Sequence, residues 1–278
     1  MSLPPWIKRR VYVVRGRRPW SAGYGSFRDW YVARVIASPE QLAPFRDGAP
    51  LPARFGIGLD ERVIEYPWVL SRLSEQGGLL LDAGAALNHA FLLRHPRLAR
   101  KRIVVYTLSP RGEEIVPADS VSYVFGDLRQ TILRDGICDE VACISTLEHV
   151  GLDNRRFYTA RGDYREANER DFALAVRELR RVLVRGGRLL LTVPYGRPRQ
   201  LGWLQVFDRG KVEQVIEEFG GSVVQQAYYR YSERGWQRAS RDECSDCEYH
   251  DVHAGFPYTA GAAAAAGAVA CLELLKTA

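Results

Sequence analysis

Four short segments carry side chains that can do chemistry, and each closes an apolar run. Asp82-Ala83-Gly84 follows Leu79, Leu80 and Leu81, and Thr107-Leu108-Ser109-Pro110 closes the run that starts at Ile103. Gly126-Asp127 follows Val121–Phe125, and Ser145-Thr146-Leu147-Glu148-His149-Val150-Gly151 follows Glu140–Ile144. The first is the most informative. Residues 78–88 read GLLLDAGAALN: a buried strand stops at a carboxylate, and a small-residue turn leads into a helical pattern of Phe91, Leu92, Leu93 and Leu98. Such a turn leaves backbone N–H groups and a positive helix end facing a crevice above the sheet. Parallel α/β sheets bind ligands there, at the carboxyl ends of their strands. His149 is the candidate general base, because imidazole titrates near neutrality and the residue lies just past the fourth strand. Its bland reading is a histidine that satisfies a helix start or packs under the loop. Glu148 either orients His149 or faces solvent.

Cys244, Cys247, His250 and His253 form C-x2-C-x2-H-x2-H. Zinc uses these residue types, but structural sites bring two ligand pairs together across a longer segment. No metal is assigned, and the segment is read as a loop with ordinary thiols and histidines.

The elements that position these groups alternate. Residues 1–58 are rich in Pro, Gly, Arg and aromatic side chains with little periodicity, and read as an irregular extension with a short strand at Val11–Val14. Leu59–Leu73 reads as a helix, with Asp60 as N-cap and a kink or division at Pro67. From Gly78 onward strands alternate with helices. Asp171 and Asp208 are placed to cap helices with apolar residues at three- and four-residue spacing, ended by Gly186-Gly187 and Gly220-Gly221. Leu189–Val193 and Val223–Tyr231 read as strands. Beyond the alanine-rich segment Gly261–Gly267, Val269–Leu275 is expected to be a terminal strand rather than a helix. Alternation of this kind argues for a parallel sheet.

The chain has 278 residues, 46% hydrophobic and 26% charged, which is the make-up of a globular protein with a substantial core. No apolar run reaches the roughly 18 residues of a membrane span, and no apolar signal core starts the chain. Five scattered cysteines do not make a disulfide framework, so a reducing cytoplasm is expected. The net charge of +6 is partly local: Lys8, Arg9, Arg10, Arg15, Arg17 and Arg18 precede the first acid, Asp29, and Arg94, Arg97, Arg100, Lys101 and Arg102 form a second cluster. Such patches suit nucleic acid, anionic lipid or a phosphorylated substrate. Without interleaved aromatic residues they do not resemble a single-strand groove, and a solvated surface is the simpler reading.

LDAG (81–84), Gly126-Asp127, CDEVACISTLEHVG (138–151) and RVLVRGGRLLLTVPYG (181–196), in this order and spacing, resemble the class I S-adenosylmethionine-dependent methyltransferases over roughly Leu59 to Lys276. The LEHV segment is similar to that of members acting on small molecules. The N/D-P-P-Y signature of many nucleic-acid amino-methylating members is absent, so a nucleic-acid substrate is not expected. The resemblance implies a Rossmann-like, seven-stranded, mostly parallel sheet with helices on both faces, spanning 59–278. It implies that Asp82 and Gly84 face the methionine part of the cofactor. Asp127 would hydrogen-bond the adenine amino group with Leu128 beside the ring, and Ser145 and Thr146 would line the cleft near the sulfonium. Two departures stand out. The glycine-rich turn is thinned to Gly84, Ala86 and Asn88. Thr107 stands where the family usually has an acid for the ribose hydroxyls, and Asn88 is a candidate to take over that contact. Tyr66 and Trp68 are candidates for a lid. The loop 152–169, with Arg155, Arg156, Tyr158 and Arg161, suggests a polar or anionic acceptor.

The expected function is therefore methyl transfer to oxygen or nitrogen of a small-molecule or saccharide-type acceptor. The rival is a non-catalytic, methyltransferase-like binding protein. A nucleic-acid methyltransferase and a nicotinamide oxidoreductase fit less well, the latter because G-x-G-x-x-G is missing.

Overall fold

The computed structural model describes residues 3–109, 119–158, 164–251, 258–259 and 261–277. Its centre is an eight-stranded sheet in the order β3-β2-β1-β4-β5-β10-β8-β9. These strands are β1 (Gly78–Ala83), β2 (Lys101–Thr107), β3 (Val121–Phe125), β4 (Cys138–Ile144), β5 (Leu183–Pro194), β8 (Ser222–Ser232), β9 (Gly235–Ala239) and β10 (Ala268–Leu275). β6 (Arg199–Gln200) and β7 (Gln205–Val206) form a separate ribbon. Strands β1 to β5 pair in parallel, whereas β10 is antiparallel to both β5 and β8. The eighth strand, β9, is the return arm of a hairpin: Ser232 pairs with Gly235, whose φ of 88° only glycine adopts readily.

Period-two alternation along the central strands divides the core. Leu80, Ala142, Ile144, Leu190, Val269 and Cys271 face one side, and Leu81, Val141, Cys143, Leu189, Leu191, Ala270 and Leu272 face the other. The second side is covered by α7 (Phe172–Val182) and α8 (Arg209–Phe219). Asp208 caps α8 by accepting from the Lys211 N–H at 2.9 Å, and Gly220 ends it at φ 59°. Asp171 precedes α7 but makes no capping bond, because its carboxylate is held elsewhere.

The first side is covered by the N-terminal segment, and here the sequence reading is corrected. Residues 1–58 are not irregular: they hold α1 (Pro5–Val14), α2 (Tyr24–Ile36) and α3 (Pro39–Asp47). The strand expected at Val11–Val14 is the last turn of α1. Tyr12, Val32, Val35 and Phe45 join one core with Trp68, Val69 and Leu70 of α4 (Arg62–Arg72). Helix α4 runs through Pro67 without dividing, and Asp60 lies outside it, accepting from the Arg62 N–H at 3.2 Å. The helix expected after β1 is split by Pro96 into α5 (Ala90–Leu93) and α6 (Pro96–Ala99). A last short helix, α9 (Arg241–Cys244), carries a Ser240–Glu243 capping box.

Candidate functional site

The strand order reverses between β1 and β4, and a cavity of about 670 Å³ opens at the carboxyl ends of the strands around that point. Gly84, Asn88, Thr107, Asp127, Leu128, Ser145, Thr146 and His149 all line it. Asp82 and Glu148 do not.

Asp82 is fully buried below the turn after β1, where Oδ2 accepts from the Leu87 N–H at 2.9 Å and Oδ1 has no partner. Burial raises its pKa to about 7, against the lowering pull of the turn's N–H groups. It holds the turn that lines the cavity. Gly84 adopts φ 107°, and a Cβ there would lie 2.0 Å from Thr146 Oγ1. Ala85 next to it sits at φ 66°, a left-handed conformation costing roughly 1–2 kcal/mol for a residue with a Cβ. The thinned glycine turn is thus kept in shape at a cost in strain.

Thr107 Oγ1 lies 2.9 Å from the hydroxyl of Tyr158, supplied by the loop after β4. Asn88 is buried and accepts from the Tyr123 hydroxyl at 2.8 Å. Hydroxyl and amide groups therefore stand at this end of β2. Asp127 is clamped by Arg129. Both carboxylate oxygens bond the guanidinium, and Oδ1 also accepts the Arg129 N–H at 2.8 Å. Burial would raise the Asp127 carboxyl, but these bonds outweigh it and hold it below its usual range. Arg129 extends to Glu166 at 2.6 Å and Asp171 at 2.5 Å, tying the loop before α7 to the end of β3.

Ser145 directly follows β4 at φ 41° and donates to Glu65 Oε1 at 2.6 Å. The same oxygen accepts from Thr192 Oγ1 at 2.7 Å, and Oε2 pairs with Arg62 at 2.7 Å. Glu65 has no exposed surface. The sequence reading missed it. Its signal was a lone acid inside the otherwise apolar run VIEYPWVL. Tyr66 lines the cavity, but Trp68 lies in the core and is no lid.

His149 is the last residue of a single 3-10 turn, Leu147–His149. Its Nδ1 is 2.8 Å from the Trp203 carbonyl and its ring stacks on Trp203 at 5.5 Å, with Phe157 edge-on at 5.1 Å. A carbonyl only accepts, so Nδ1 carries a hydrogen, and Nε2 is the ring atom left that can exchange a proton. Glu148 does not orient His149, nor does it face solvent. It is buried, burial raises its pKa well above the usual range, and Oε2 has no partner. The Trp203 carbonyl does the orienting. Of the cysteine–histidine cluster, His253 lies outside the described residues, as does Arg161. Cys244 is buried, and the hydrogen bond it shares with Cys247 lowers the Cys247 thiol to about 7. Among the described residues no group of three or more side chains is arranged to hold a metal.

No family model and no curated protein matches the chain. Solved structures do. A complex of the Haloferax volcanii Trm112 methyltransferase activator with a putative methyltransferase is 13% identical, with a TM-score of 0.50 over 98% of this chain and 97% of that one. The chain has the methyltransferase fold. Below a TM-score of 0.5, a putative methyltransferase from Bacillus halodurans is 15% identical over 74% of this chain and 95% of its own, at 0.48. A Burkholderia thailandensis 1,6-didemethyltoxoflavin-N1-methyltransferase, crystallised with that compound and S-adenosylhomocysteine, is 12% identical over 88% and 89%, at 0.48. The methyltransferase fold here has one strand more than the seven expected, through the β8–β9 hairpin. Among the described residues no helix is long and apolar enough to cross a membrane.

Proposed function

We propose that this chain is an S-adenosylmethionine-dependent methyltransferase acting on oxygen or nitrogen of a small-molecule or saccharide-type acceptor. The observation that carries this reading is the convergence of eight residues, read from separate strand ends, on one cavity at the switch point. Its size lies within the roughly 300–1,000 Å³ of small-molecule sites. The donor set fits the cofactor. Asp127 offers acceptors beside apolar Leu128, and a carboxylate has about four acceptor positions, so an adenine amino group would share Asp127 with Arg129. Thr107, with Tyr158 beside it, and Asn88 would meet the ribose. The Gly84–Asn88 turn would meet the amino-acid end.

When bound, the cofactor supplies an activated methyl on sulfur. The protein's part is to align the acceptor, exclude water and take up a proton. His149 Nε2 would accept the acceptor's proton while the Trp203 carbonyl holds Nδ1–H. Asn154, Phe157, Tyr158 and Tyr164 give the acceptor side a polar, aromatic wall. Titration of S-adenosylmethionine and S-adenosylhomocysteine by calorimetry, with Asp127→Ala alongside, tests the reading. Micromolar binding weakened by the substitution supports it. No binding at millimolar ligand by the folded protein overturns it in favour of a non-catalytic relative.

A further inference from the structure

Helix α1 turns one face to the core and another to solvent. Tyr12 is fully buried. On the opposite side Trp6 is 53% exposed, Val13 40% and Val14 86%, and Leu3, just ahead of the helix, is 54% exposed. At 100° per residue, Trp6, Arg10, Val13 and Val14 fall within about 100° of one another, a single stripe on α1. Exposed single apolar residues are ordinary, but three on one side of a ten-residue helix, with a fourth just ahead of it, make a patch.

Its surroundings are cationic. Arg10, Arg15, Arg17 and Arg18 are all exposed, Arg10 covers the Trp6 ring at 5.6 Å, and no acid precedes Asp29 in the chain. Trp20, six residues past the helix, is 45% exposed. Apolar and indole side chains flanked by arginines suit a surface that is anionic outside and apolar a few ångströms deeper. Nucleic acid would use the arginines but leave Leu3, Val13 and Val14 against water or phosphate. A bilayer uses both sets.

We propose that the α1 face, with the Arg15–Trp20 turn, docks the protein on anionic lipid bilayers as a peripheral element lying in the headgroup plane. Ten helical residues bury too little to hold a neutral membrane by themselves, so binding depends on the arginines. Each cation near an anionic surface contributes about a fivefold gain. The proposal is independent of the methyltransferase reading.

Co-sedimentation of the full chain with vesicles tests it. One preparation is phosphatidylcholine alone, the other two parts phosphatidylcholine to one part phosphatidylglycerol. The expected result is binding to the second only, weakened by salt. It should fall at least tenfold in Trp6→Glu/Val14→Glu and again in Arg10→Ala/Arg15→Ala/Arg17→Ala/Arg18→Ala. All these side chains are exposed, so the variants keep the fold. Equal binding by wild type and both variants would overturn the proposal, as would no binding to either vesicle. A lipid-free dimer dissociated by the same substitutions would overturn it in favour of a second copy. Binding to a mixed-sequence DNA duplex, without vesicle binding and lost in the arginine variant alone, would do so in favour of nucleic acid.

Discussion

Asp82→Asn gives a sharp test of how the cavity floor is built. Asp82 has no exposed surface, and its carboxyl is raised from 3.8 to about 7 by burial. A carboxyl protonated more readily in the folded than in the unfolded chain costs nothing below pH 3.8, where both states carry the proton. Between there and about pH 7 the unfolded state releases its proton first. Stability then falls by about 1.4 kcal/mol per pH unit, and the loss levels off above the folded value. The full penalty is on the order of 4 kcal/mol. Asparagine resembles the protonated form: it keeps one oxygen for the Leu87 N–H and does not titrate. The two proteins should therefore differ most at pH 8 and least at pH 4. At on the order of 2 °C per kcal/mol for a chain of this size, the gap in Tm should change by about 8 °C, with the variant gaining as pH rises. Thermal melts of both proteins across this range, read by circular dichroism, measure that change. Parallel Tm profiles would refute the reasoning. They would mean that Asp82 stays ionised, through a cation or water at its unpartnered Oδ1.

Further expectations follow from the same network. Glu148→Gln removes a second buried, unpartnered carboxyl oxygen and should raise Tm at pH 7 more than at pH 4, as shown by melts at the two pH values. Glu65→Ala strands Arg62 and the Ser145 and Thr192 hydroxyls; breaking such a buried set costs about 3–5 kcal/mol, to be read by urea unfolding. Gly84→Ala forces a Cβ onto Thr146 at a positive φ and should abolish S-adenosylhomocysteine binding by calorimetry even where the protein stays folded. His149→Gln should lower kcat by about 10²–10⁴ once an acceptor is in hand, while calorimetry shows cofactor affinity nearly unchanged.

The sheet was legible because its signals are local. Leu79–Leu81, Val121–Phe125 and Leu189–Val193 are apolar runs bounded by polar or glycine stops, and the structure sets each on a strand. The cleft residues at strand ends became legible with them, since a strand's carboxyl end fixes where Asp127 or Ser145 must sit. The N-terminal helices were not. Helix α2 packs against its neighbours with Tyr24, Phe27, Tyr31, Val32, Val35 and Ile36, which spread over about half its circumference with Gly25 and Arg28 among them, and this blurs the narrow one-sided period that marks a surface helix. Helix α1 is anchored by a single buried residue, Tyr12.

The parts of the site that escaped the sequence are those whose partners lie far along the chain. Glu65 meets Ser145 after 80 residues and Thr192 after 127, and Thr107 meets Tyr158 after 51. Read locally, Thr107 is only a missing acid. In the fold its hydroxyl and that of Tyr158 form a neutral pair that spares the cavity a buried negative charge. Burying a carboxylate there would need a cation or several N–H donors in compensation. Among the described residues, the arginines that line the cavity are already engaged: Arg129 by three acids, Arg62 by Glu65 and Arg28 by Asp29 and Asp60. Restoring the acid by Thr107→Asp should therefore destabilise the protein. On the methyltransferase reading, a ligand carrying ribose hydroxyls should recover part of that loss by donating to the new carboxylate. S-Adenosylhomocysteine should then raise the Tm of the variant by more than that of the wild type. Equal shifts in the two proteins would place the ribose away from residue 107 and leave Asn88 as its contact.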